Sequence, residues 1–125
     1  MNINFDRIIP VEDVLHPGFA YWLRKHDLSH SISGLYFFYN DTGNLLYIGW
    51  SSDLTKRVRT HLKGNANTKR FIAEVAEVRL LFADSFDAFR EQYPECCEGV
   101  DIEYYLIEKM SPKYNDARPR PKVHP

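Results

Sequence analysis

Cysteine is nearly absent from this 125-residue chain, and the two copies it has, Cys96 and Cys97, are neighbours. Adjacent cysteines are badly placed to bridge each other and lack the two-residue spacer of a zinc knuckle. A disulfide framework and a structural zinc site are therefore not expected, and the pair reads as reduced thiols at a helix start. Long hydrophobic runs are missing too. Nothing approaches about 18 consecutive apolar residues, and the opening MNINFDRIIPVEDV has no basic region followed by an apolar stretch. Neither a membrane span nor a signal peptide is expected, and the default compartment is the cytoplasm. An overall charge of one sign is the third absence, since 16 bases against 17 acids leave a net −1. That balance hides a segregation along the chain.

From Leu54 to Ala73 there are six bases (Lys56, Arg57, Arg59, Lys63, Lys69, Arg70) and no acid. From Asp84 to Glu108 eight acids face the single Arg90, and the last stretch, 109–125, is again basic. Such blocks are either solvated faces or one side of a protein that grips a polyanion. With 44% hydrophobic and 26% charged residues, the composition is that of one compact domain with a real core.

The order of elements follows from patterning. Residues 1–30 read as an extended N-terminal extension that ends in a short helix around PGFAYWLRKHDL. GLYFFY and NLLYIGW are strands separated by NDTG, a turn composition, so a hairpin is expected. Ser51, Ser52 and Asp53 are suitable caps for a helix over LTKRVRTHLK. KRFIAEVA suggests a further short helix and EVRLLFA a third strand. Ser85 is placed to cap FDAFREQY, and GVDIEYYLIEKM is the last helix, stopped by SPKYN. The final ten residues form a proline-rich basic tail. The fold class is α/β: a sandwich of helices on a small mixed or antiparallel sheet.

Geometry narrows the candidate residues. If the turn is the two-residue DT or the four-residue NDTG, opposed residue numbers sum to 83, and Tyr36 lies directly across from Tyr47 on one face. An odd-length loop would break that pairing. The two rings are then either plain sheet packing or the lining of a site. On the helix from residue 54, Leu54, Val58 and Leu62 form a buried stripe, while Lys56, Arg59 and Lys63 project away. Arg57 and His61, one turn apart, fall along the edge of the stripe. They are either half-buried partners of local acids or phosphate ligands. On the last helix Ile102, Leu106, Ile107 and Met110 make an apolar arc, with Glu103 inside it and Asp101 and Glu108 outside. A carboxylate on an apolar face needs a partner, either an arginine or lysine in a structural ion pair or a hard cation.

The GLY of residues 34–36 and the YIG of 47–49 together resemble the paired signature of the GIY-YIG nuclease superfamily. Arg57 follows ten residues after Tyr47, His61 one turn later, and IEYYLIEKMSPKYN looks like the family's closing helix with its glutamate and PKYN ending. The resemblance covers residues 34–115. It implies a central three-stranded antiparallel sheet flanked by helices, a nuclease domain over residues 31–115, and hydrolysis of DNA phosphodiesters with one divalent cation, Mg²⁺ or Mn²⁺. Under it, Tyr36 and Tyr47 line the site and one of them moves the proton of the attacking water. Arg57 holds the scissile phosphate, His61 stands where relatives have His or Tyr, Glu103 binds the metal, and Asn115 buttresses the site. Many relatives have lysine after YIG where this chain has Trp50. That leaves His61 as the nearest group to assist a tyrosine, and offers a ring that either stacks on a base or packs. Lys56, Arg59, Lys63, Lys69 and Arg70 would be contacts to the DNA backbone, with specificity supplied by a protein partner. Two other readings stand beside the endonuclease: a weakly active or non-catalytic nucleic-acid-binding module, and a small cytosolic protein whose charge segregation serves a protein partner.

Overall fold

The run GLYFFY has no polar alternation because it becomes a strand covered on both faces. In the computed structural model, which describes residues 1–18, 20–29 and 31–115, strand β2 (Gly34–Tyr39) is buried along its whole length. It is flanked by β3 (Leu45–Ser51) and β4 (Glu77–Phe82), and β4 in turn pairs with β1 (Arg7–Pro10). The sheet is antiparallel throughout, in the order β1-β4-β2-β3. It has one strand more than the three expected, because part of the N-terminal extension joins it. Tethering explains why: the Asp6 carboxylate accepts from Phe82 N (2.7 Å) and Ser85 Oγ (2.8 Å), and Arg7 Nε donates to His26 O at 2.7 Å. The tail predicted for residues 116–125 lies outside the described residues.

Helices cover both faces. On one lie α1 (Val11–Val14), α2 (Tyr21–Lys25) and α3 (Leu54–Leu62), which bury Val14, Trp22, Leu54, Val58 and Leu62 against Tyr36, Phe38 and Leu80. On the other, α4 (Phe86–Gln92) and α5 (Ile102–Met110) bury Phe89, Ile102 and Leu106 against Leu35, Phe37, Ile48 and Leu81. Each fully buried phenylalanine contributes about 1.5–3 kcal/mol relative to exposure. No helix among the described residues is long and apolar enough to cross a membrane.

Several local expectations change in detail. KRFIAEVA makes no α-helix; the chain there forms two short 3₁₀ helices, Asn67–Arg70 and Ile72–Glu74, interrupted at Phe71, whose φ of −128° lies outside the helical range. Ser85 precedes α4, but its hydroxyl is diverted to Asp6 and does not cap the helix. Asp101 does not face outward: it is the buried N-cap of α5, accepting from Tyr104 N at 3.0 Å. With α5 starting at Ile102, Cys96 and Cys97 fall in the turns before it, Cys96 buried and Cys97 exposed.

The hairpin register also differs from the expected one. Phe38, not Tyr36, lies opposite Tyr47, and Tyr36 lies opposite Gly49. The loop is odd: Asn40 and Asn44 close on three residues, with Gly43 in the left-handed region (φ 82°) and Asn40 Oδ1 accepting from Thr42 N and Asn44 N. The register then slips once more between Phe38 and Tyr39, so that Leu46 is the extra residue of a bulge. The two shifts together leave Tyr36 and Tyr47 diagonal to each other on the same face, with ring centroids 6.3 Å apart.

α3 is anchored at both ends. Asp53 caps it by accepting from Lys56 N, and Arg59 Nη1 donates to Val14 O at 2.7 Å, with weaker bonds to His16 O. Arg59 thus clamps the α1 end onto α3. Replacing it by alanine is expected to lower unfolding free energy by about 1–2 kcal/mol, whereas Lys56→Ala, on the exposed side, stays within about 0.5 kcal/mol. Urea denaturation of the two variants distinguishes them.

Candidate active site

Gly49 explains the shape of the site. The Tyr36 ring lies flat over the β3 backbone at that position: a Cβ on residue 49 would sit 2.2 Å from the Tyr36 hydroxyl. The missing side chain lets the ring run along the sheet towards α3, where its phenol shares a 2.8 Å hydrogen bond with His61 Nε2. His61 is wholly buried, not placed at the edge of the apolar stripe as its helical position suggests. Its ring sits among Tyr36, Phe38 and Tyr47, with centroid separations of 5.2, 5.7 and 6.0 Å. On its far side Nδ1 hydrogen-bonds the hydroxyl of Thr68, also buried. The result is a closed chain of polar groups, Tyr36–His61–Thr68, across an apolar interior.

Arg57, one turn before His61, exposes much of its surface yet lies close enough for its charge to lower the pKa of both Tyr36 and His61. Tyr47 is half-buried, shares a cavity wall with Asn67 and Thr68, and packs on Phe71. Glu103, half-buried near the start of α5, is close enough that its charge disfavours ionisation of both phenols. Five of the six residues singled out as catalytic, Tyr36, Tyr47, Arg57, His61 and Glu103, are therefore brought into one electrostatic neighbourhood.

Asn115 stands behind them. β3 is the last strand of the sheet, so its outer backbone groups need partners. The Asn115 side chain accepts from Ile48 N and donates to Ile48 O, both at 3.0 Å, next to Tyr47. The basic residues divide. Arg70 lies over the stacked rings of Phe71 and Tyr114, close enough to Tyr47 to lower its pKa, and Lys69 is exposed beside it. Lys56, Arg59 and Lys63 turn the other way, lining a cavity of about 350 Å³ between α3 and α2. Trp50 does not join the tyrosines; it pairs with Leu35 and faces the α4–α5 side of the sheet. The sequence reading missed Thr68 and Asn67. They sit on an irregular turn where no periodicity marks them; the hydrogen bond to His61 reveals Thr68, and the cavity wall shared with Tyr47 reveals Asn67.

The electrostatics follow from burial. Burial is the largest influence on Tyr36 and pushes its pKa up; Tyr47 and Glu103 add to the rise, and Arg57 opposes it. Tyr47 is raised in the same way, again chiefly by burial. His61 is driven down to about 4, by burial first and the Arg57 charge second. At neutral pH the resting site therefore holds neutral phenols and a neutral imidazole beside a guanidinium. Among the described residues no group of three or more His, Cys, Asp or Glu is placed to hold a metal ion. A lone carboxylate fits a cation that keeps most of its waters, which is the habit of Mg²⁺.

The description "GIY-YIG catalytic domain" matches residues 32–115. The chain belongs to the GIY-YIG family. As a GIY-YIG domain it is similar to the UvrABC system protein C of Mycoplasma mycoides (29% identity over 101 residues) and of Mycoplasma capricolum (30% over 101 residues). In each case the match covers 79% of this chain and 16% of the relative, so the chain spans about a sixth of the length of those curated relatives. Solved structures of the N-terminal endonuclease domain of UvrC from Thermotoga maritima share the fold. One, bound to magnesium as its catalytic divalent cation, matches at TM-score 0.50 and 29% identity over 74% of this chain and 94% of that domain. A tyrosine-to-phenylalanine variant with its catalytic divalent cation matches at TM-score 0.51 and 28% identity, over 76% and 96%. This chain thus carries a nuclease domain similar to the UvrC endonuclease domain.

Two outcomes test this site. Below pH about 6.5 the unfolded chain takes up a proton that folded His61 refuses, so the native state loses stability as pH falls from about 6.5 to about 4. His61→Gln is expected to flatten that part of the stability profile; an unchanged slope in urea titrations would refute a depressed His61. Gly49→Ala is expected to cost about 1–3 kcal/mol, because the new methyl group must push aside a ring fixed at its far end. In a Tyr36→Ala background most of that cost should vanish, a coupling that a double-mutant cycle reads directly.

Proposed function

We propose that this GIY-YIG domain is a divalent-metal-dependent endonuclease that hydrolyses DNA phosphodiester bonds. The observation that carries the reading is the convergence of Arg57 and the Tyr36–His61 pair, with Glu103, on the α5 side of the sheet, close enough for its charge to be felt at Tyr36. A guanidinium at the mouth of a buried polar chain is suited to hold a phosphate by two parallel hydrogen bonds. A Mg²⁺ or Mn²⁺ ion on Glu103 would supply Lewis-acid stabilisation of the phosphate oxygens as negative charge builds.

The protein's own groups handle the proton. With His61 neutral, its Nε2 accepts from the Tyr36 O–H while Nδ1–H donates to Thr68. As water attacks, Tyr36 passes its proton to His61 and takes one from the water. A P–O bond forms to the incoming oxygen, the opposite P–O bond breaks, and the leaving oxygen is protonated from solvent. A phenol whose pKa burial has raised transfers its proton poorly in the resting site; Arg57 favours the phenolate but disfavours the imidazolium, so the step requires the bound phosphate, whose negative charge offsets Arg57 at His61. Asn115 acts at one remove: by fixing β3 at Ile48 it fixes the neighbouring Tyr47.

Lys69 and Arg70 are the backbone contacts nearest the tyrosines. Lys56 and Lys63 extend the positive surface along α3, and Arg59 adds charge there while holding α1. None of these reads a base edge. Since contacts to the backbone carry no sequence information, a protein partner is expected to supply the choice of target.

The test is nicking of supercoiled plasmid. The wild-type chain is expected to cut with Mg²⁺ or Mn²⁺ and to stop in EDTA. Glu103→Ala should fall to background, and Arg57→Ala should lose about 10²–10³-fold. Cleavage by Glu103→Ala at the wild-type rate would defeat the assignment. DNA binding without cleavage by the wild-type protein would instead favour the weakly active binding module.

A further inference from the structure

On the α4–α5 side of β3 lies a cavity of about 330 Å³ of which the proposed chemistry uses only Glu103, on the rim. Its apolar walls are Leu35, Phe86 and the ring of Trp50, which is 41% exposed where Trp22, the other tryptophan, is 1% exposed. Trp50 leans on Phe86 with centroids 6.1 Å apart and leaves its outer face open. Arg90 reaches in from α4. Its Nη2 bonds Val100 O at 3.4 Å, but its Nε is buried and has no hydrogen-bond partner among the described residues. A buried donor without an acceptor is costly, and a ligand oxygen or ring nitrogen would relieve that cost. The rim is acidic: Glu98, Asp101 and Glu103.

We infer that this cavity receives one unpaired nucleobase of the DNA substrate, adjacent to the scissile phosphate. The inference rests on the endonuclease reading and adds a substrate class to it. A flat aromatic face, a buried guanidinium N–H and carboxylate acceptors together suit a heteroaromatic ring that carries a carbonyl or ring nitrogen and an exocyclic amine. The acidic rim repels phosphate, so the backbone stays outside and only the neutral base enters. Glu103 belongs both to this rim and to the neighbourhood of Tyr36 and Tyr47, which puts the bound base next to the phosphate being cut. A base stacked in a duplex presents only its edge and cannot lie on Trp50. The substrate must therefore offer an unstacked nucleotide, at a flap, a bulge or a junction of single and double strand.

The experiment follows the exposed tryptophan. With Ca²⁺ replacing Mg²⁺ to prevent turnover, a DNA hairpin closed by a non-nucleotide linker and carrying one unpaired nucleotide should quench Trp50 emission, and the fully paired hairpin of the same design should not. The buried Trp22 supplies a constant background. With Mg²⁺, the ratio of kcat/KM for the two hairpins should favour the unpaired one. That ratio should fall at least about fivefold in Trp50→Ala and be largely kept in Trp50→Phe, as stacking requires. Equal quenching by both hairpins, or a ratio untouched in Trp50→Ala, overturns the inference while leaving the nuclease intact. If the wild-type chain cleaves no DNA with any divalent cation, the nuclease reading fails, and selective quenching by the unpaired hairpin would still uphold the base pocket.

Discussion

One hydrogen bond inside an apolar layer organises this molecule. The phenol of Tyr36 and the imidazole of His61 meet between a central strand and the helix packed on it, where neither finds water, and each would be a costly orphan without the other. The surrounding sequence serves that contact. Gly49 leaves out a side chain that would bar the ring, and Asp53 starts α3 at a point that aims His61 inward two turns later. Thr68 closes the far nitrogen, which is why the irregular stretch between α3 and β4 is held against the core and does not trail in solvent. Because the contact is buried, it stays uncharged at neutral pH and responds strongly to any charge brought to its mouth.

This arrangement separates two jobs that small nucleic-acid enzymes must combine. Rigidity sits in the interior, in the phenol–imidazole–hydroxyl chain. Positive charge sits outside, on side chains long enough to adjust. Arg57 bridges the two, since it is anchored on α3 one turn from His61 yet exposed to solvent.

Sequence patterning reveals the hairpin, the buried stripe of α3 and the three residues 57, 61 and 103, because those depend on period and spacing alone. The hairpin register was not legible. NDTG is compatible with loops of two, three or four residues; which one forms depends on Asn40 capturing Asn44 and on a bulge at Leu46 set by tertiary packing. The face shared by Tyr36 and Tyr47 survived the error because two shifts of one residue cancel in parity. β1 was hidden for a different reason. Its four residues are too few for alternation to show, and they are a strand only because Asp6 and Arg7 are tied to elements far along the chain. Thr68 could not be found without the fold, since a lone threonine in a turn carries no signal until its partner is known.

The run from Lys113 to Asn115 has one more consequence. Lys113 N donates to Leu45 O and Tyr114 N to Leu46 O, before the Asn115 amide takes both backbone groups of Ile48. Together these occupy the open margin of the outermost strand, where exposed amides and carbonyls would invite the same strand of another molecule to add on. The PKYN ending therefore also covers this margin of β3, leaving fewer free amides and carbonyls there for a neighbouring copy to pair with.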